Sequence, residues 1–319
     1  MACEGEWELT SVHRVTLVGL GAIGASYGER LLVAPGVELR VLVDEERKRR
    51  YEQSGVRVNG RRIDFPLMVP ATSVEPADLV MFCVKYDDLA SAIEMVRRHV
   101  GPNTVFMSLL NGIASEDEIQ AAFPENVVLH AISVAIDAVR EGRDVRYSTL
   151  GYISFGDATG RHEDAVRAVR DVLDRAGIAY ETPEDILRVV WWKFMINVGI
   201  NQASAVLRAP YGVFQRSEDA REVMRMAMRE VVAIAQKRGI SLSEDDVRGF
   251  DDILNVMSPN GKTSMLQDVE AGRPTEVEQF AGTVVRLGAE LGVPTPVNQL
   301  LYHAIRTIAP HAKMSLASV

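Results

Sequence analysis

Three polar residues stand four positions apart in a stretch of the chain that is otherwise apolar. Lys193, Asn197 and Asn201 lie within the run WWKFMINVGINQASAVL. On an α-helix these positions share one face, so an ammonium and two amides would point the same way. An ammonium buried without a partner is costly, which favours a polar site over a solvated surface. A structural hydrogen-bond network inside a helical core is the alternative interpretation.

A glycine pattern follows the first apolar run of the chain. The run HRVTLVGL is typical of a strand, and a helical pattern begins at about Ala22. Between them, G-x-G-x-x-G spacing permits a tight turn, close approach of the backbone to a pyrophosphate and close packing of helix on strand. An ordinary glycine-rich turn is the alternative. The predicted dinucleotide-binding residues are Gly19, Leu20, Gly21, Ala22, Ile23 and Gly24.

Asp44 lies twenty positions after Gly24, at the end of the second predicted strand. A carboxylate there can accept hydrogen bonds from the adenosine ribose hydroxyls, which favours NAD over NADP. The cations at 47–50 could instead neutralise a 2′-phosphate, or could form the solvated face of a short helix. The preference for NAD therefore depends on Asp44 alone.

Polar residues also follow the third and fourth predicted strands. Lys85 comes after DLVMFCV, and Asn111 with Gly112 comes after TVFMSLL. Ligands of open α/β sheets bind at the carboxyl ends of the strands, so both positions are expected to face the nicotinamide. Each has an ordinary alternative, a solvated lysine and an Asn-Gly turn.

Glu276 has two possible roles. The sequence Gly272-Arg273-Pro274-Thr275 precedes it and is typical of a helix start, with Thr275 as the cap. A carboxylate in the first helical turn can serve the helix dipole alone. The other interpretation is that Glu276 is the partner that Lys193 needs.

Strands and helices alternate through the first half of the chain, which predicts a parallel sheet covered on both faces. Strands are predicted at 13–20, 37–44, 78–84 and 104–110. Helices are predicted at 22–33, 91–99 and 162–176. The closely spaced strands VVLHAISVAIDAV, DVRYSTL and GYISFGD are expected to extend one edge of the sheet as hairpins.

After Thr182-Pro183 every segment has helical periodicity. The fold class is therefore predicted to be α/β plus all-α, with an α/β domain at 1–182 and an all-helical domain at 183–319. The expected helices are 184–208, 217–238, 244–257, 275–291 and 296–308.

Composition excludes several classes of protein. The hydrophobic fraction of 47% and charged fraction of 25% are those of a globular protein. A net charge of -9 argues against electrostatic binding to nucleic acid or an anionic membrane. With Cys3 and Cys83 as the only cysteines and no ligand-spaced histidine cluster, neither disulfides nor a metal are expected. Without a long apolar run or a signal-like start, a cytosolic protein is predicted.

Several segments together resemble the ketopantoate reductase family, also called 2-dehydropantoate 2-reductase. The likeness runs in order from about residue 14 to residue 306, and its helical-domain motifs are more specific than the glycine pattern. The segments are GLGAIG at 19–24, VKYDD at 84–88, LNG at 110–112, KFMINVGINQASAVLRAPYG at 193–212, SMLQDVEAGRPTEVEQFAG at 264–282 and GVPTPVNQLLYHAI at 292–305.

The resemblance implies a Rossmann NAD(P)-binding domain joined to a helical substrate domain, with catalysis in the cleft between them. It also implies reduction of 2-dehydropantoate to pantoate, on the route to pantothenate and coenzyme A. By motif, Lys193 would be the catalytic acid and Glu276 would anchor the substrate. The residues expected to bind the substrate or lie near the reacting carbonyl and nicotinamide ribose are Asn197, Asn201, Ser264, Lys85 and Asn111.

The chemistry of these residue types agrees with those roles. Hydride arriving at a ketone leaves an alkoxide, which an ammonium such as that of Lys193 can stabilise and protonate. One departure concerns the cofactor, because the family commonly has an arginine where this chain has Asp44. The resemblance makes NADPH the default, whereas Asp44 favours NADH. Two other hypotheses stay open, a dehydrogenase for a different 2-oxo acid and a dinucleotide-binding sensor without turnover. A homodimer is also possible, since apolar helices could form either a core or an interface.

Overall fold

The computed structural model describes residues 11–309, so Cys3 lies outside the described residues. These residues pack into two compact units. The first extends up to Asn111 and continues over Ser115–Ile186, while the second comprises Gly112–Ala114 and the chain from Leu187 onward.

The first unit is an α/β fold with twelve strands among the described residues. Its strands are β1 (Arg14–Val18), β2 (Glu38–Leu42), β3 (Val56–Val58), β4 (Arg61–Ile63), β5 (Leu67–Met68), β6 (Leu79–Phe82), β7 (Val105–Ser108), β8 (Val127–Val134), β9 (Val139–Glu141), β10 (Asp144–Arg146), β11 (Tyr152–Gly156) and β12 (Tyr180–Glu181). Its helices are α1 (Ala22–Leu32), α2 (Glu45–Ser54), α3 (Leu89–Val96), α4 (Ser115–Ala122) and α5 (Glu163–Ala176), with 3₁₀ turns at Tyr86–Asp88 and Arg97–His99.

Eight strands form the main sheet in the order β12-β11-β8-β7-β6-β1-β2-β5. Neighbours are parallel except β8 and β11, which are antiparallel. The chain builds β1, β2 and β5 on one side and then crosses to β6, β7 and β8 on the other. The switch in strand order therefore falls between β1 and β6, the place where ligands bind in open α/β sheets.

Strand β6 shows why this sheet must be covered on both faces. Its four residues are fully buried, yet they alternate between two hydrophobic cores. Leu79 and Met81 pack with the core that includes α1 and α5, and Val80 and Phe82 pack with the core that includes α3. Alternation along a strand places neighbouring side chains on opposite faces, so a continuous apolar run requires two cores. The predicted parallel, doubly covered sheet is confirmed.

One prediction about the edge of this sheet is wrong. The segment DVRYSTL contributes β10, which belongs to a separate four-stranded sheet of order β4-β3-β10-β9. Only Val145 of β10 is buried, and it packs with Val56 and Val58 of β3. Strand β3 was missed because it is only three residues long. It forms a hairpin with β4 through Asn59-Gly60, whose φ angles of 48° and 80° suit the two central residues of a tight turn.

The described part of the second unit is helical throughout, as predicted. Its α-helices are α6 (Ile186–Ile196), α7 (Gln202–Leu207), α8 (Tyr211–Arg216), α9 (Glu218–Lys237), α10 (Glu244–Val256), α11 (Ser264–Glu270), α12 (Thr283–Leu291) and α13 (Pro296–Ile308). Two π-helical segments interrupt this pattern, at Asn197–Asn201 between α6 and α7 and at Glu278–Gly282 before α12. The α/β plus all-α fold class is confirmed, but the short helices α8 and α11 and both π segments were not predicted.

No helix within residues 11–309 combines the length and apolar character needed to span a membrane.

The first π segment packs closely on α9. A methyl group added at Gly199 would lie 2.5 Å from Cγ of Met228 and 3.1 Å from the carbonyl oxygen of Met224. Both methionines are fully buried, so neither has space into which it can withdraw. Gly199 therefore sets the distance between this segment and α9.

Gly199→Ala is expected to lower the free energy of unfolding by about 1–3 kcal/mol, because it overpacks this contact. The measurement is equilibrium denaturation followed by circular dichroism. Gly249→Ala in α10 is the matched control, since nothing lies within 4 Å of the added methyl group there. It should stabilise the protein by up to about 1 kcal/mol through helix propensity. Equal effects of the two substitutions would contradict the close packing at Gly199.

Candidate active site

The glycine turn after β1 is shaped by close contacts inside the first unit. Gly19 has a φ of +100°, and a methyl group added there would lie 2.7 Å from the carbonyl oxygen of Cys83. A methyl group added at Gly24 would lie 2.0 Å from the carbonyl oxygen of Gly19. Both positions therefore require glycine to let α1 begin against the ends of β1 and β6. Cys83 itself is buried, and desolvation raises the pKa of its thiol to about 12.

Gly21 differs from the other two glycines of the motif. An added methyl group would lie 3.5 Å from the carbonyl oxygen of Cys83, an ordinary contact, and the φ angle of -64° suits any residue. Gly21 is also the N-cap of α1, where no side chain caps the helix and no acidic residue occupies the first turn. No contact within residues 11–309 requires glycine at this position. The uncapped amides of α1 suit a phosphate.

Asp44 follows β2 and is the N-cap of α2. Its carboxylate accepts a hydrogen bond from the backbone N–H of Arg47 at 2.6 Å and forms an ion pair with the same guanidinium at 3.1 Å. A second carboxylate, Asp88, which follows β6, lies 3.7 Å from that guanidinium. Arg47 is thus held between two acids, and the cluster keeps a net negative charge. This differs from an arginine that is available for a 2′-phosphate.

The other cations of α2 also have local partners. Lys48 pairs with Glu52 at 2.5 Å, the guanidinium of Arg49 donates to the carbonyl of Glu45, and that of Arg50 lies over the Tyr51 ring. This arrangement agrees with the interpretation that these cations form the solvated face of a short helix.

Lys85 and Asn111 lie where the strand ends place them. Lys85 is exposed and follows β6, and Asn111 is half-buried and follows the adjacent strand β7. A hydrogen bond of 2.8 Å between the hydroxyls of Ser108 and Ser115 closes the loop that carries Asn111. Ser115 donates in turn to the buried carboxyl of Glu116, whose pKa is raised to about 7 by desolvation. This buried chain of hydrogen bonds holds the loop in place, and it was not predicted from the sequence.

Lys193 lies on α6 in the second unit and is half-buried. Desolvation lowers the pKa of its ammonium from 10.5 to about 8, and the negative charge of Glu276 acts in the opposite direction. The flanking residue Phe194 is buried and packs against Trp191, with ring centroids 5.9 Å apart, and against Phe280, at 6.4 Å. These aromatic contacts join α6 to the second π segment. The effect of Glu276 on this pKa agrees with the expected pairing of the two residues, which stays a prediction.

The asparagines depart from the predicted α-helical stripe. Asn197 and Asn201 are the first and last residues of the first π segment, so the α-helical spacing from Lys193 is not kept through both. Asn197 is half-buried, whereas Asn201 is 7% exposed. The predicted continuous α-helix is therefore interrupted, and the α-helical run resumes at Gln202. Positions four apart lie on nearly one face in a π turn as in an α turn, so the shared face of Lys193, Asn197 and Asn201 stays a prediction. Single-turn π segments of this kind are frequent at functional sites.

Glu276 lies just before the second π segment, which starts at Glu278 rather than at the predicted 275. Its carbonyl accepts hydrogen bonds from the backbone N–H groups of Gln279 and Phe280, both at 3.1 Å. The observed helical segment has no side-chain cap, so Thr275 does not have the predicted capping role. Half-buried Glu276 is thus fixed by its backbone at a helix start while its carboxylate interacts with Lys193.

Ser264 is the first residue of α11 and is exposed. The capping residue of this helix is its neighbour Thr263, whose hydroxyl accepts from the N–H of Leu266 at 3.2 Å. The hydroxyl of Ser264 is therefore not needed to cap the helix. Within residues 11–309 no cluster of three or more His, Cys, Asp or Glu side chains is arranged to hold a metal ion.

The free energy of unfolding should depend on pH in the way that the lowered pKa of Lys193 requires. Between about pH 8 and pH 10.5 the unfolded chain binds more protons than the folded one, so the contribution of Lys193 to stability rises with pH. The measurement is the difference in free energy of unfolding between the unmodified protein and Lys193→Met at several pH values. Relative to Lys193→Met, the unmodified protein should become more stable across this window.

Lys237→Met is the control for this comparison, since it removes an exposed ammonium at the end of α9. A difference for Lys193→Met that stays flat or falls with pH would mean that the ammonium is not desolvated.

Comparison with known proteins gives a consistent result over nearly the whole chain. The family model "Ketopantoate reductase PanE/ApbA" matches residues 15–160, and the model of its C-terminal region matches residues 185–309. A 2-dehydropantoate 2-reductase of Archaeoglobus fulgidus is 30% identical over 300 residues, which are 93% of this chain and 98% of that protein.

Solved structures agree with this assignment. A PanE/ApbA family ketopantoate reductase from Ralstonia eutropha JMP134 is 28% identical, with a TM-score of 0.78 over 92% of this chain and 98% of the other. D-mandelate dehydrogenase, solved with NADH and anilino(oxo)acetate, has a TM-score of 0.82 over the same shares, but at 20% identity this likeness concerns the fold alone. The matched models and the relative from Archaeoglobus fulgidus show that the chain belongs to the ketopantoate reductase family of oxidoreductases.

Proposed function

We propose that this protein reduces 2-dehydropantoate to pantoate with a reduced nicotinamide nucleotide, on the route to pantothenate and coenzyme A. The observation that carries the proposal is the pKa of the Lys193 ammonium, which desolvation lowers to about 8 and on which the negative charge of Glu276 also acts. An acid with a pKa near neutrality is well matched to donating a proton during turnover. The chain belongs to the ketopantoate reductase family, and for this reason we propose 2-dehydropantoate as the substrate on which these two residues act.

The first unit has the features that a dinucleotide requires. Gly21 leaves its backbone accessible, and the uncapped N-terminus of α1 offers N–H groups to a pyrophosphate. Asp44 would accept hydrogen bonds from the adenosine ribose, and Lys85 and Asn111, at the ends of β6 and β7, would lie toward the nicotinamide ribose. The bound cofactor supplies the hydride.

The second unit would bind the substrate and supply the proton. We assign Asn197, Asn201 and Ser264 to the substrate, because amide and hydroxyl groups can bind its oxygens without competing for the transferred proton. Glu276 would accept a hydrogen bond from the hydroxyl of 2-dehydropantoate. When the hydride adds to the ketone carbon, the carbonyl oxygen takes the electron pair of the broken π bond. Lys193 then donates one proton to this oxygen, which gives the 2-hydroxy acid.

A second candidate is the reduction of a different 2-oxo acid by the same residues. The fold likeness to D-mandelate dehydrogenase favours testing it, because that protein was solved with anilino(oxo)acetate in a closely similar fold. A panel of 2-oxo acids compared by kcat/KM would distinguish the two candidates. A cytosolic location and a homodimer stay predictions, and a sensor without turnover is the least supported alternative.

The first functional prediction concerns activity and its pH dependence. The purified protein should oxidise NADPH or NADH in the presence of 2-dehydropantoate, and kcat/KM should fall as the pH rises through about 8, because the protonated form of Lys193 is the acid. Lys193→Ala should lower kcat by about 10²–10⁴-fold, the usual contribution of a general acid. The measurement is the loss of nicotinamide absorbance at a series of pH values.

No turnover of 2-dehydropantoate with either cofactor in excess would exclude the proposed substrate. If Lys193→Ala kept the full rate while still binding the cofactor, the assignment of the acid would be wrong. Lys237→Ala, at an exposed position in the same unit, is the matched control.

The second functional prediction concerns cofactor choice. Because Arg47 is held by two carboxylates and the cluster stays negative, the unmodified protein should use NADH more efficiently than NADPH. Asp44→Arg should shift the ratio of the two kcat/KM values toward NADPH by about tenfold or more. Asp44→Ser should shift it in the same direction while keeping an N-cap for α2.

Glu52→Arg is the control for net charge, because it makes the same change of charge near the other end of α2. A preference for NADPH in the unmodified protein would refute the role given to Asp44.

A further inference from the structure

Gln202 is a fully buried polar residue directly after the first π segment. Its side-chain amide donates to the carbonyl of Val198 at 2.7 Å and to Oδ1 of Asn298 at 3.1 Å. Its Oε1 accepts from the backbone N–H of Ala281 at 3.1 Å. Both N–H groups of the side-chain amide are thus hydrogen-bonded inside the core, and its oxygen accepts one hydrogen bond there.

These contacts join the two π segments. Val198 lies within Asn197–Asn201, and Ala281 lies within Glu278–Gly282. A π turn displaces the regular i to i−4 hydrogen bonds, so its backbone groups need partners from elsewhere. In the second segment Gly282 donates back to Val277 across five residues at 3.0 Å, and Ala281 donates to Gln202. One side chain therefore satisfies a carbonyl of one segment and an amide of the other.

The orientation of Gln202 is fixed by the chemistry of its neighbours. Its NH₂ group faces two oxygen acceptors and its oxygen faces an N–H donor, so a reversed amide would place like groups together. Asn298, also fully buried, is oriented in the same way, because its NH₂ donates to Ala227 and to Glu230. Glu230 on α9 further accepts from the backbone N–H groups of Val297 and Asn298 at the start of α13. The network thus ties both π segments to α9 and α13.

We propose that Gln202 is a positioning residue for the reaction, a role that rests on the proposed function. It acts through the backbone by holding two segments at a fixed separation. Asn197 and Asn201 are carried by one segment, and Glu276 lies two residues before the other. A carboxylate and amides that bind one small acid must keep their spacing, since a displacement of about 1 Å can cost about 10²-fold in rate.

The test compares Gln202→Met with a matched control, Gln215→Met. Gln215 on α8 also donates two hydrogen bonds from its amide to backbone carbonyls, those of Leu254 and Met257, both at 2.9 Å. It contacts neither π segment through these bonds, so its loss removes similar interactions elsewhere in the same unit. The measurements are kcat and KM for 2-dehydropantoate, KM for the cofactor, and thermal stability.

Gln202→Met should lower kcat/KM for 2-dehydropantoate by about tenfold or more, with an unchanged KM for the cofactor. Gln215→Met should also lower the melting temperature but leave kcat/KM within about twofold. The loss in Gln202→Met should also be smaller with 3,3-dimethyl-2-oxobutanoate, which lacks only the hydroxyl assigned to Glu276. Equal kinetic effects of the two substitutions, or an equal loss with both substrates, would overturn the positioning role.

Amide hydrogen exchange provides a readout that does not depend on activity. Gln202→Met should speed exchange in peptides covering 197–207 and 276–283 together, whereas Gln215→Met should affect neither. If only one of the two segments responds, Gln202 does not couple them. If the unmodified protein reduces no 2-oxo acid, the proposed function fails, and the exchange result still decides whether Gln202 joins the segments.

Gln202→Glu keeps the test decisive should Gln202→Met fail to fold. A protonated carboxyl can still accept from Ala281 and donate one hydrogen bond, whereas an ionised carboxylate would face the oxygens of Val198 and Asn298. Activity of this variant should therefore recover as the pH is lowered, relative to the unmodified protein at the same pH. A ratio of the two activities that does not change with pH would contradict the proposal.

Discussion

The desolvated ammonium of Lys193 is the constraint on which the helical unit depends. Burial disfavours its charge, and the carboxylate of Glu276 offsets only part of this cost, so the pKa comes to rest near 8. Keeping that balance requires an apolar wall and a carboxylate at a defined distance. The contacting side chains of Trp191, Phe194 and Phe280 supply the first, and the backbone-anchored start of the second π segment supplies the second.

The central strands and the first helix of the first unit could be predicted because their signals are local. Buried strands such as β6 are continuous apolar runs, and the spacing of Gly19 and Gly24 between a strand and a helix is a pattern that can be recognised within a few residues. The second sheet escaped prediction for the opposite reason. Strand β3 has three residues, too few to show a period, and β10 was predicted as a strand but assigned to the wrong sheet, because its pairing with β3 joins segments that are far apart in the chain.

The residues of the candidate site were proposed from the sequence, but the π-helical backbone around them was not predicted. Lys193 and Glu276 were expected to be partners because a buried ammonium needs one, which is an energetic argument that does not require coordinates. The π segments could not be foreseen, because an α-helix and a π turn share the same local periodicity over a few residues. What separates them is a tertiary partner for displaced backbone groups, here Gln202, and a single sequence does not reveal such a partner.

The π segment at Asn197–Asn201 contains one residue more than a regular α-helix needs for the same rotation. Five residues at about 4.4 per turn rotate the chain roughly as far as four α-helical residues do at about 3.6 per turn. Removal of one residue is therefore expected to restore regular α-helix and to leave the helix beyond it, including Gln202, facing the same way relative to Lys193. A deletion of this kind would separate the contribution of the π turn from that of the surrounding fold.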